Sequence, residues 1–210
     1  NVGNVTNPEN AAANTGVVGD KNAKNVPVVR AVVENGAEDT TVHRFPKLSL
    51  VDKKYMDFQP PVYNEEVTLE QFAEGYRLFA ASQMGLYYTP EIVRRFIAGM
   101  AASKLLILEG ISGTGKTSLP YSFSRYMENP ATIVSVQPSF RDRTELLGYF
   151  NEFSKRFNET EFLRALYEAN FTPTPTLIVL DEMNLARIEY YFAEMLSVLE
   201  MPSKDEWTLD

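Results

Sequence analysis

Cysteine is absent from the 210 residues, and histidine occurs once, at His43. Without thiols there is neither a disulfide nor a thiolate metal site, and a single imidazole supplies no histidine cluster for a metal or a His-dependent triad. Any chemistry must therefore run on carboxylates, hydroxyls, lysine and arginine. Long apolar runs are also missing: no stretch approaches the ~20 residues needed to cross a bilayer, and no basic region followed by an apolar run opens the chain as in a signal peptide. The expected home is a reducing cytoplasm, with no membrane partner. Positive charge is in deficit, with a formal net charge of −8 and a pI near 4.9. That balance argues against a broad cationic surface for nucleic acid or anionic lipid, although local basic loops leave DNA contact open. Three N-x-[ST] sequons, at Asn4, Asn158 and Asn170, carry no weight without secretion. The first residue is Asn rather than Met, and the expectation is a processed product or a piece of a longer protein.

A composition of 44% hydrophobic and 12% aromatic residues is enough for one domain with a sizeable core. It is unevenly spread. Residues 1–44 hold eight Asn and four Gly and no aromatic residue, whereas every aromatic lies from Phe45 onward. Such a segment buries too little apolar area to offset its ordering entropy and reads as a flexible linker or tail. The valine-rich run 26–33 is the exception, with the pattern of a short edge strand in which Pro27 needs no ladder donor. Residues 45–88 read as a connecting segment with a helix. Up to Tyr63 it is broken by Pro46, Pro60 and Pro61 and is expected to be extended. Thr68 with Gln71 then forms a capping-box signature ahead of Leu69, Phe72, Ala73, Tyr76 and Phe79 or Ala80 at helical spacing. Thr89 as N-cap and Pro90 at the first helical position open a second helix with an apolar stripe of Ile92, Val93, Phe96, Ile97 and Met100.

The next stretch carries the chemistry. Leu105-Leu106-Ile107-Leu108 has the length and type of a buried parallel strand. After Glu109 comes Gly110-Ile111-Ser112-Gly113-Thr114-Gly115-Lys116-Thr117, which fits G-x-x-x-x-G-K-[ST] at every fixed position. Glycines let successive N–H groups turn toward phosphate oxygens, and a helix beginning near Gly115 and running through Ser118 adds the positive end of its dipole. Lys116 is placed to reach the β- and γ-phosphates, and the Thr117 hydroxyl to ligate Mg²⁺. Chance produces the pattern in on the order of 1% of chains of this length, so a phosphate cradle is preferred over an incidental glycine-rich turn. Pro120 sits uneasily in the following helix unless that helix starts close to Lys116.

A cradle alone hydrolyses nothing. Thr176-Leu177-Ile178-Val179-Leu180 is a second strand-like run, and it ends in Asp181-Glu182. Asp181 at the strand end suits the metal's hydration shell, and Glu182 suits the general base that polarises the attacking water. The acidic pair falls 65 residues after Lys116 (181 − 116), with another strand expected at 132–136 between them.

The segment Asp181-Glu182-Met183-Asn184-Leu185-Ala186-Arg187 resembles the D-E-[IM]-N-x-A segment of AAA+ ATPases, in the branch containing MoxR-like chaperones, dynein and midasin motors and the McrB-like GTPase of modification-dependent restriction. The resemblance covers residues 89–210. It implies an α/β P-loop NTPase fold, a three-layer αβα sheet. It also implies catalytic Glu182, ATP or GTP with Mg²⁺, a homo-oligomeric ring, and an arginine finger from the neighbouring subunit. A protein substrate or a partner enzyme would be remodelled. A second reading is a nucleotide-gated binding or scaffold module with little turnover, and a third a GTP-using subunit partnered with a nuclease.

Several residues keep two readings. Asn184 either caps the helix that follows, whose apolar face is Ile188, Tyr191, Phe192, Met195, Leu196 and Leu199, or serves a γ-phosphate or subunit contact. Arg187 is either solvated or trans-acting. The loop 137–143, with Arg141 and Arg143, is either plain surface or, by the resemblance, faces a pore. Tyr87 or Tyr88 either stacks on a base or belongs to the core. The AAA+ pattern also requires further strands, sensors and a helical lid after the acidic strand, yet the sequence stops at Asp210. In the sheet order the resemblance implies, a strand lies between the P-loop strand and the acidic strand, and its lack leaves main-chain groups to pair elsewhere, with 26–33 or 206–210 as partial fillers. The expectation is an incomplete core truncated after the helix that follows the acidic strand, and a fragment inactive by itself.

Overall fold

Proline and threonine punctuate the helical half of the chain. In the computed structural model, which describes residues 44–64 and 66–203, Pro46 is the first helical residue of α1 (Pro46–Tyr55). The extended connection expected there is therefore corrected over its first half: Pro46 starts a helix, because its fixed φ and missing N–H suit the first turn, and only 56–64 lacks regular structure. The expected edge strand at 26–33, the flexible tail and the filler at 206–210 lie outside the described residues.

α2 (Leu69–Met84) opens with a complete capping box, Gln71 N donating to Thr68 Oγ1 and Thr68 N donating to Gln71 Oε1. α3 (Pro90–Ala102) begins as its sequence predicts, with Ile92 N donating to Thr89 Oγ1. α4 (Ser118–Tyr126) follows the glycine loop, and Pro120 is its third residue. There, in the first turn, a proline is tolerated, and the flanking Leu119 N and Tyr121 N still bond Gly115 O and Thr117 O. β1 (Thr132–Ser135), α5 (Thr144–Leu147), β2 (Gly148–Asn151), β3 (Arg156–Glu159) and α6 (Glu161–Glu168) come next. β4 (Ile178–Asp181), a 3₁₀ turn at Met183–Leu185, α7 (Ile188–Tyr191) and α8 (Ala193–Glu200) complete the described chain.

The architecture is mixed α/β. β1 and β4 pair in parallel with Ser135 opposite Asp181, while β2 and β3 form a separate antiparallel hairpin. One face of β4 packs into the core, and the residue that leads into the strand packs on the opposite side. Leu177 packs into a cluster built by Tyr76, Val93, Phe96, Leu119 and Phe123, and Ile178 and Leu180 pack into a second cluster around Val136, Leu146, Phe162, Tyr191 and Phe192. Alternating side chains that are apolar on both sides explain why this strand reads as a continuous hydrophobic run.

The strand expected at 105–108 is not one. The segment alternates as a strand does, with Leu105 in the second cluster and Leu108 in the first, yet among the described residues it joins no ladder. β4 likewise pairs only with β1 there; the main-chain N–H and C=O of Leu105 bond the Ser103 hydroxyl instead of a strand, and Ile107 stays 79% exposed.

α1 is held by a residue far away in sequence. The buried Glu159 carboxylate at the end of β3 accepts from Lys47 N at 2.7 Å and Leu48 N at 2.8 Å. A negative charge on the free N–H groups of a helix start complements its dipole. The hairpin that delivers Glu159 depends on Gly148, whose φ of +95° and position 2.0 Å (for an added Cβ) from the Asn158 carbonyl exclude any side chain.

Candidate functional site

The loop 110–117 reverses the chain between 105–108 and α4. Gly115 adopts φ +87°, and a Cβ there would lie 3.6 Å from the Tyr88 ring, so the loop is seated on an aromatic floor. Thr114 Oγ1 donates to Ile111 O at 2.8 Å and tightens the turn. Lys116 Nζ crosses the loop and donates to Gly110 O at 2.9 Å and Ile111 O at 2.8 Å. The ammonium is thus held within the curvature of the loop by its own carbonyls. Ile111, Ser112, Gly113 and Thr114 are exposed, and Gly115, Lys116, Thr117 and Ser118 are half-buried.

At the loop's end, Thr117 Oγ1 donates to Asp181 Oδ1 at 2.9 Å. This bond brings together the end of the glycine loop and the end of β4, elements 64 residues apart in the chain. Asp181 is further fixed by the sheet, because Val136 N donates to its carbonyl at 2.9 Å. The next residue, Glu182, is exposed and has left-handed backbone angles, φ +56° and ψ +43°. A side chain larger than Asn pays for that conformation with of order 1 kcal/mol or more, and such outliers persist where surrounding bonds impose them.

The arrangement therefore joins Thr117 to Asp181, with Lys116 and Glu182 as their chain neighbours, the latter on a strained turn. Among the described residues no three His, Cys or acidic side chains cluster in a way that could enclose a metal alone. A hydroxyl with one carboxylate is the donor set that suits Mg²⁺ when phosphate oxygens and water complete its shell. On that chemistry Thr117 and Asp181 would hold the ion, and the Lys116 ammonium beside them in sequence would supply positive charge to a polyphosphate.

Other sequence expectations resolve differently. Asn184 does not cap the following helix: it lies inside the 3₁₀ turn, and α7 starts four residues later behind Arg187 with no side-chain cap. The left-handed Glu182 turns the chain before Asn184 is reached, which removes it from the capping position. Arg187 is exposed and folds over its own helix, with Nη1 donating to Tyr190 Oη at 3.2 Å and the guanidinium 5.7 Å from that ring. Arg143 pairs with Glu194 of α8 at 2.8 Å, tying the loop 137–143 to that helix. Tyr87 is 85% exposed. Tyr88 packs against the first cluster, stacked on Tyr76 at 6.2 Å, which is the core reading of that residue. The hydroxyl of Tyr88 is buried and makes no hydrogen bond of good geometry, although the Ser122 hydroxyl, which bonds Tyr76 Oη at 2.8 Å and Leu119 O at 3.1 Å, lies close enough to act on it.

Compared with protein-family models, curated proteins and solved structures, the chain matches none of them. No helix among the described residues is long and apolar enough to cross a membrane.

Proposed function

We propose that the chain binds a nucleoside triphosphate with Mg²⁺ and belongs to an AAA+ type P-loop ATPase that hydrolyses it. The single observation that carries this reading is the 2.9 Å bond from Thr117 to Asp181. A glycine-rich turn with an incidental lysine has no reason to meet the acidic end of a distant strand, whereas a phosphate and metal site requires that meeting.

Each residue has one task. The loop amides and Lys116 bind the phosphates. Thr117 and Asp181 hold the ion, which when bound supplies charge neutralisation on the phosphate oxygens. Glu182 takes a proton from the attacking water on its carboxylate. A parallel pair in which β4 runs into the acidic residues is consistent with an αβα P-loop sheet, and the resemblance of 181–187 supports a ring-forming remodelling or motor ATPase. The base remains open between adenine and guanine, and comparison of ATP with GTP affinity decides it.

The decisive experiment is Glu182→Gln in the full-length protein. Phosphate release is expected to fall by 10²-fold or more, on the order of a lost general base, while triphosphate binding persists. Equal turnover in that variant removes Glu182 from the role of base. Nucleotide binding is read independently by thermal shift, since a ligand at 100 times its Kd stabilises by ~2.7 kcal/mol.

A further inference from the structure

The turn after β4 is held in an unusual way. Three successive carbonyls each have a donor of their own: Val136 N to Asp181 O at 2.9 Å, Leu185 N to Glu182 O at 3.0 Å, and Tyr191 Oη to Met183 O at 3.2 Å. The first two are main-chain bonds of the strand and the 3₁₀ turn. The third comes from a side chain on α7, eight residues on.

We infer that Tyr191 is the positioning residue for Glu182, locking the exit of the strained turn that aims its carboxylate; this rests on the nucleotide-hydrolysis reading above. Glu182 sits at φ +56°, a conformation that relaxes unless the peptides around it are fixed. Tyr191 is suited to fixing them because it cannot itself move: it is 1% exposed, and Phe140 packs edge-on against it at 5.6 Å and 79°. Burial raises the phenol's pKa, so its proton stays in place to donate. Phe140 belongs to the loop after β1, with its N donating to Gln137 O at 3.0 Å. Tyr191 thus refers the acidic turn to the same loop that β1 leads into. Burial obliges the hydroxyl to find an acceptor, and the acceptor it takes is the carbonyl one residue beyond the candidate base.

The test uses Tyr191→Phe in the full-length protein, which keeps the ring and its Phe140 contact and removes only the bond to Met183. The kcat for phosphate release is expected to fall on the order of tenfold, less than complete loss of a general base costs, with KM for the triphosphate and Tm close to wild type. Amide exchange at Leu185 is expected to speed up, since the turn it closes has lost its outer restraint. An unchanged kcat, a loss carried by KM instead, or unaltered exchange at Leu185 overturns the positioning role and leaves the nucleotide reading standing. Failure of that reading appears separately: if Lys116→Ala changes neither triphosphate binding nor phosphate release, there is no base to position and both fall.

Discussion

Thr117 and Asp181 stand 2.9 Å apart, hydroxyl to carboxylate oxygen, and theirs is the direct side-chain bond between the glycine loop and β4. Because Thr117 precedes α4 and Asp181 ends the strand, the bond sets the distance between the glycine loop and the acidic turn. Substitutions at either end separate the electrostatic role from the structural one.

Asp181→Asn retains an oxygen that accepts from Thr117, so the unliganded fold should keep its Tm within a few degrees. What it loses is the negative charge that a divalent cation requires. The expected outcome is that Mg²⁺ no longer adds to nucleotide-induced stabilisation, read by thermal shift with triphosphate in excess Mg²⁺ and in EDTA. A Mg²⁺-dependent increment as large as that of wild type contradicts the metal assignment of Asp181.

Lys116→Ala removes the ammonium from Gly110 O and Ile111 O. Those carbonyls are exposed to water in the loop, so stability should change little. A hydrogen bond to a charged group is worth about 1.5–3 kcal/mol, which weakens triphosphate binding by roughly 10- to 150-fold on the relation between affinity and free energy. Calorimetric titration with Mg²⁺ and triphosphate measures it. Loss of the fold without nucleotide would instead make Lys116 a structural clamp.

Tyr88→Phe is expected to stabilise. Its hydroxyl is buried with no hydrogen bond of good geometry; burial raises its pKa by penalising the ionised form, and the nearby Ser122 hydroxyl offsets only part of that rise. Removing a buried, unpaired polar group should gain about 1 kcal/mol, or roughly 2–4 °C in Tm for a domain of this size. The floor under Gly115 keeps its ring, so triphosphate affinity should hold. A lower Tm shows that the hydroxyl is satisfied in solution.

Local signals explain which parts of this molecule were legible in the sequence. Thr68 with Gln71, and Thr89 with Pro90, announce helices because the capping donors lie within three residues of their acceptors. The P-loop pattern and the Asp181 strand end are equally local, and the structure joins them through Thr117. The hairpin of β2 and β3 was missed: its turn is held by Asn151 Oδ1 accepting from Phe153 N and Ser154 N, a side-chain device with no Asn-Gly signature. Glu159 was also missed, since its partners Lys47 and Leu48 precede it by more than 100 residues and nothing local distinguishes it from a surface glutamate. Pro46 was misread as a break because the sequence does not reveal that a buried carboxylate waits at that helix start. Leu105 to Leu108 carry a strand's alternation, but a ladder needs a neighbour, and alternation does not supply one.

The α1–α6 contact makes a prediction about acid. Lys47 pairs with Glu161 and Lys54 with Glu168, Tyr55 Oη donates to Glu168 at 3.0 Å, and Tyr167 Oη donates to Asp52 at 2.8 Å. Hydrogen bonds from Arg164 and then Lys47 hold the Glu161 carboxyl below its ordinary value. At Glu168 burial pushes upward, but the bonds from Lys54 and Tyr55 together with nearby cations outweigh it and the net shift is downward. A carboxyl whose folded pKa is depressed stabilises above its unfolded value and loses that contribution as pH falls through the folded value. The ordinary value is 4.5, so α1 docking should weaken below about pH 4.5 and the loss should continue at lower pH. At the other end the signs reverse: the bond to Glu168 raises Lys54, and burial followed by Asp52 pushes Tyr167 up to about 12. Both contributions are complete below pH 10 and are lost as pH rises through the folded values. Amide exchange of α1, corrected for intrinsic rates, should therefore be flat from pH 6 to pH 9 and faster below pH 4.5. Added salt should shrink the acid effect, because the Lys47–Glu161 pair is about half exposed and is screened. A change centred between pH 6 and pH 8 would point to an imidazole or an α-amino group, and the chain's one histidine is His43; that result would transfer control of the docked helix from these carboxylates to the segment preceding it.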